Sequence, residues 1–127
     1  MSLFKFLGAI ASDLPGCLST SIVSVETGLA LANVSAIDVE ESAGVDAYLA
    51  LALQESDRLI QSMALNDSVS SLVVRGQRVT VVSVSLGDAG YMWNVVTESD
   101  TTLGFTQAVL RKHTQTAREL VRTFLAS

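Results

Sequence analysis

Few residues in this chain can do chemistry, and their spacing keeps them apart. There is one histidine, His113, and one cysteine, Cys17. At about 100° per residue, His113 falls inside an apolar helical stripe. A packed, hydrogen-bonded imidazole is the common case there, and a catalytic one needs partners that its neighbours do not offer. Cys17 follows Pro15-Gly16 and is either a reactive thiol or, more commonly, a small buried one. One histidine and one cysteine so far apart do not build a zinc site. Serines are many, yet none lies in G-x-S-x-G, and no G-x-x-x-x-G-K-S/T phosphate loop occurs. Asp38, Glu40 and Glu41 would attract a divalent cation, but they lack the Asx/Gly ligand spacing and read better as a solvated helix entry. Gly87-Asp88-Ala89-Gly90 would let a ligand approach closely and equally suits a plain hairpin turn. No catalytic residue, metal or cofactor is assigned from these patterns.

The elements that would have to position a site are easier to read. The 127 residues suffice for one domain with a real core. The apolar share is 49% and the mean hydropathy +0.43, high for a small soluble monomer. That leaves membrane insertion or burial against a partner. A spanning helix needs roughly 20 apolar residues in a row, and the longest uninterrupted run, Ala47–Leu53, is far shorter. The segment "KFLGAIAS" mimics a signal peptide, but a true h-region has about 7–15 apolar residues; Phe6–Ala11 is shorter and Gly8 interrupts it. Net charge is −5, from 13 acids and 8 bases. Only Arg111-Lys112 are adjacent bases, so no basic stripe exists for nucleic acid. A single cysteine forms no internal disulfide, and with no convincing signal the expected location is the cytoplasm.

Along the chain, Leu3, Phe4, Phe6, Leu7, Ile10, Ala11 and Leu14 lie at helical spacing, and Pro15-Gly16 stops that helix. The stretch "SIVSVETGLALANVS" is a hairpin of Leu18–Val25 and Leu29–Val34 turned at Glu26-Thr27-Gly28. Asp38 with Glu41 resembles a capping box, and Asp46 is a second possible helix start. A long helix is expected from about Val45 to Ala64, broken by Asn66-Asp67. Strands Val69–Arg75, Arg78–Leu86 and Tyr91–Thr97 follow, then a helix from about Thr102 to Leu125. The order is α-β-β-α-β-β-β-α, with short turns making each hairpin antiparallel. Val79, Val81, Val82, Val84 and Leu86 are apolar on both pleat faces, so helices must cover both.

The two long helices differ. In the last, Val109, Leu110, Ala117, Leu120, Val121 and Phe124 fit one stripe of roughly 120°. In the middle helix, Val45, Tyr48, Leu49, Ala52, Leu53, Leu59, Ile60 and Met63 spread over roughly 140°, with Ala47 and Leu51 beyond that. One sheet face does not need so much. The excess suits either a deeply buried helix or a partner surface.

The order of elements, with "LPGCLSTSIVSVETGLALA", "VTVVSVSLGDAGYMWNVV" and "TLGFTQAVLRK", resembles the Roadblock family, which includes dynein light chains and bacterial regulators of Ras-like GTPases. The resemblance runs from about Leu14 to Val121 and rests on fold-level patterns, not on a catalytic signature. It implies an α+β, profilin- or longin-like sandwich: a five-stranded antiparallel sheet, with the middle helix on one face and the terminal helices on the other. It also implies a dimer joined through the third strand, with two middle helices side by side. The dimer contact would involve Tyr48, Ala52, Leu59, Val69, Ser71 and Val73. Partner contact would fall on the outer side of the middle helix, at Ala47, Leu51, Gln54, Glu55 and Arg58. The expected function is a non-catalytic scaffold that binds a Ras-like small GTPase. The alternatives are a structural module for another protein or a second Roadblock chain, or a ligand-binding enzyme on the same architecture, disfavoured by the missing polar constellation.

Overall fold

The computed structural model describes residues 1–87 and 90–127, with residues 39 and 40 described in their backbone alone. Asp88 and Ala89 of the expected second turn, and the side chain of Glu40 in the acidic trio, lie outside the described residues. The chain begins with α1 (Leu3–Asp13), capped by Ser2, whose hydroxyl accepts from the Lys5 amide at 3.1 Å. β1 (Cys17–Ser24) and β2 (Ala30–Ser35) form the first hairpin; Gly28 in its turn has φ +73, which a β-carbon would strain. α2 (Val39–Ser62) follows, then β3 (Ser71–Arg75), β4 (Val79–Ser85), β5 (Tyr91–Glu98) and α3 (Leu103–Ala126).

The five strands form one antiparallel sheet in the order β2-β1-β5-β4-β3. On one face, Leu3, Phe6, Leu7 and Ile10 of α1 and Leu110, Ala117 and Val121 of α3 pack on Ile22, Val82, Trp93 and Val95. Burying each such large side chain is worth about 1.5–3 kcal/mol. Trp93 is fully buried, donates its indole N–H to Thr20 Oγ1 at 2.9 Å and meets the ring of Phe6 at 5.3 Å. On the other face a smaller cluster joins Leu49, Ala50 and Leu53 of α2 to Val23 and Met92. The layers are those the Roadblock resemblance implies.

Three expectations need correcting. α2 begins at Val39, not Val45, so it starts immediately after Asp38, and Asp46 lies inside it. β3 begins at Ser71, not Val69, because the Val69 amide leaves the strand direction to bond Asp57 Oδ1 at 2.9 Å. Phe4 and Phe124, both placed in buried stripes by periodicity, are exposed. Helices α1 and α3 share one sheet face, so each offers it a narrower stripe than its apolar residues would fill.

Candidate docking surface

The two residues singled out for chemistry, His113 and Cys17, are both half-buried. His113 is half-buried on α3 and meets the ring of Phe6 edge-on at 6.2 Å. Cys17 is half-buried; burial pushes its thiol above the usual range, which disfavours the nucleophilic thiolate. Among the described residues, no cluster of histidine, cysteine, aspartate and glutamate could hold a metal ion.

Sequence reasoning missed one polar array, beneath α2. Asp46 is buried, accepting from Ser21 Oγ at 2.7 Å through Oδ1 and from Asn33 Nδ2 at 3.0 Å through Oδ2. Asn33 also donates to Ser42 Oγ at 2.7 Å. Deeper in the sheet, Ser83 donates to Asn94 Oδ1 at 2.7 Å. Desolvation raises the pKa of the Asp46 carboxyl above its ordinary value, and the bonds from Ser21 and Asn33 oppose that shift. Asp46, Asn33 and Ser42 reach a cavity of about 400 Å³ between β2 and α2 whose lining holds no histidine, lysine or arginine. With both carboxylate oxygens engaged by side chains of β1 and β2, this array pins the N-terminal half of α2 to the sheet. A signal existed: Ser42, Asp46, Leu49 and Leu53 share one helical face.

The opposite side of α2 carries the candidate surface. α2 makes its main contacts with β1, β2 and β5. Facing away from them, Tyr48 is 77% exposed, Leu51 53%, Leu59 59% and Met63 51%. Val74 on β3 and Val79 on β4 are also exposed. They point to the same face as Leu72 and Val81, which pack against the α2 cluster. Beyond α2, the apolar surface therefore continues toward the β3 edge of the sheet. Met63, Val74 and Val79 extend the surface beyond the residues expected from sequence. Their signal was weaker, because an apolar strand residue reads as core until the covering helix is located.

The expected residues fall in two groups. Tyr48 and Leu59 stand on the exposed flank with half-buried Ala52, while Val73 packs toward the α1/α3 core and Ser71 is exposed on that same sheet face. Leu51, Glu55 and Arg58 lie on the outer side of α2, where Arg58 pairs with Glu55 at 2.8 Å, while Ala47, though exposed, sits beside Gly28 of the first hairpin at the rim of the β2–α2 cavity. Gln54 differs: its amide donates to the Val25 carbonyl at 2.5 Å and is committed to the scaffold. Gln54, Arg58 and Val69 also border a cleft of about 460 Å³. Among the described residues, no helix is long and apolar enough to cross a membrane.

No protein-family model matches the sequence, and no curated protein matches it. Solved structures do. A Roadblock/LC7 domain from Streptomyces avermitilis superposes with a TM-score of 0.84 at 13% identity, covering 100% of both chains. The gliding protein MglB from Thermus thermophilus gives 0.81 at 12% identity, over 94% of this chain and 87% of that one. An MglB in a tetrameric arrangement gives 0.82 at 12% identity, with the same coverages of 94% and 87%. With strand order, helix placement and full-length superposition in agreement, the chain has the Roadblock/LC7 fold.

Proposed function

We propose that this chain is a non-catalytic, homodimeric regulatory scaffold that binds a Ras-like small GTPase and regulates it. The observation that carries the reading is the apolar surface running from Tyr48 and Leu59 on α2, and Met63 just past its end, to Val74 and Val79 beside the β3 edge. An uncovered sheet edge with apolar flanks favours pairing with a second copy. Two copies joined at β3 would bring two α2 helices together over the two sheets. Tyr48, Ala52 and Leu59 would then be buried, together with the β3 segment around Val69, Ser71 and Val73. The tetrameric arrangement of a similar MglB structure supports self-association of this fold, and the gliding role in the name of another supports a regulatory one.

The outer sides of the paired helices would form a shallow ridge. Ala47 and Leu51 supply its apolar centre, and Glu55, Arg58 and the outer edge of Gln54 its polar rim, as in many binding patches. Leu51 is the anchor in this reading. Leu51→Asp is expected to weaken binding of the cognate GTPase by more than about 1 kcal/mol without dissociating the dimer. The GTPase is identified by affinity capture and mass spectrometry, and binding is measured by titration calorimetry. Unchanged affinity in a folded dimer would overturn the assignment of the ridge. Capture of a non-GTPase protein or a different Roadblock chain alone would replace the GTPase reading with a structural one.

A further inference from the structure

On the face opposite α2, a groove of about 500 Å³ lies between α3 and the β3–β4 pair. Its floor is apolar, from Val82, Val84 and Leu110, and none of its described lining residues is a carboxylate. Two arginines enter it, Arg111 and Arg118. They are two helical turns apart, on one side of α3, with backbones roughly 10 Å from each other. Neither makes an ion pair among the described residues, where Arg58–Glu55 is the one salt bridge. That is unexpected in a chain with 13 acids and 8 bases. Arg118 lies against Gly87, and its Nε–H is buried without an acceptor, an arrangement that costs stability until an acceptor arrives. Ser85 Oγ accepts from the Gly87 amide at 3.2 Å, which leaves its own proton to donate.

We propose that this groove docks an acidic, extended segment of a protein partner, with one carboxylate on Arg111 and another on Arg118. The charge complementarity lies in guanidinium forks and serine hydroxyls without a competing carboxylate among the described lining residues, on a chain otherwise rich in acids. Spacing favours two carboxylates over one phosphate. In a polyproline-type segment, acids three residues apart lie on one side about 9 Å from each other, close to the separation along α3. The site does not depend on the α2 ridge, so the two stand or fall separately.

The test is an NMR titration of the full chain, observing the arginine Nε–H resonances. The probe is a blocked peptide Gly-Glu-Pro-Pro-Glu-Gly; controls are its Gln-Pro-Pro-Gln counterpart and sodium phosphate. The acidic peptide is expected to shift Arg118 and Arg111 saturably, and the Gln peptide to leave them in place. Arg111→Gln and Arg118→Gln should each weaken binding about 10-fold or more, whereas Arg122→Gln, exposed on the same helix, should not. If Arg118→Gln fails to fold, Arg111→Gln carries the test. Absence of a saturable shift would overturn the proposal. So would equal loss in Arg122→Gln, or phosphate binding as tight as the acidic peptide, which would make the groove a small-anion site.

Discussion

Asp46 shows how a charged residue can look like a helix cap in sequence and serve as an anchor in the fold. Asp at the head of an apolar run resembles a helix start, but α2 already begins at Val39, and the carboxylate turns to the sheet. Burial outweighs its two hydrogen bonds and holds its pKa above the ordinary 3.8. The folded state therefore favours the protonated acid more than the unfolded chain does. The stability this confers is full below the unfolded pKa and is lost as pH rises through the raised folded value. Asp46→Asn removes that dependence. Its carbonyl can accept from Asn33 while its amide faces Ser21 Oγ, whose own proton then loses its acceptor, so the variant gives up one hydrogen bond as it sheds the buried charge. The variant is expected to lie within about 1.5 kcal/mol of the parent at neutral pH. Its urea midpoint should vary less with pH between about pH 4 and pH 7. Asp46→Leu, which strands the Ser21 hydroxyl, is expected to cost about 1–3 kcal/mol. An unchanged pH profile in Asp46→Asn would contradict this account. The half-buried setting of His113 and Cys17 could be expected from their apolar neighbours in sequence; the role of Asp46 could not, because its partners come from β1 and β2.

Elements were legible to the extent that their apolar period was unbroken. α1 and the strands carry clear stripes, and their ends fall within a few residues of the expected ones. The start of α2 was hidden because "EESAG" is polar and Gly44 is a weak helix former. Tertiary contacts through Ser42 and Asp46 hold that turn in place. Among the described residues, and apart from its chain neighbours and the backbone of its own helix, no heavy atom lies within 4 Å of where a β-carbon on Gly44 would stand. Gly44→Ala is therefore expected to stabilise the protein by about 0.5–1 kcal/mol. Gly28 is the counter-case: its φ is +73, and a β-carbon there would sit 3.2 Å from Ala47 Cα. Gly28→Ala is expected to destabilise by at least about 1 kcal/mol, loosening the hairpin against α2. Thermal or urea melts of the pair separate the two; equal effects would show that neither backbone argument holds. The exposed residues Val74 and Val79 were not legible as surface, because their exposure depends on where α2 stops covering the sheet.

For the whole molecule, the fold was readable from element order, while the proposed assembly is argued from what the fold leaves uncovered. One chain buries Leu49 and Leu53 of α2 and leaves Tyr48, Leu59 and Met63 outside. In the proposed dimer, a second copy set against β3 would cover those side chains and close the sheet edge. Leu59 is the sharper probe, since it is exposed in one chain and would be central in two. The most direct measurement is sedimentation velocity at micromolar concentration on the parent chain and Leu59→Asp. Circular dichroism establishes that both are folded. The account predicts a dimer for the parent and a folded monomer for Leu59→Asp. A parent chain that sediments as a clean monomer, or a Leu59→Asp variant that stays fully dimeric, would contradict it.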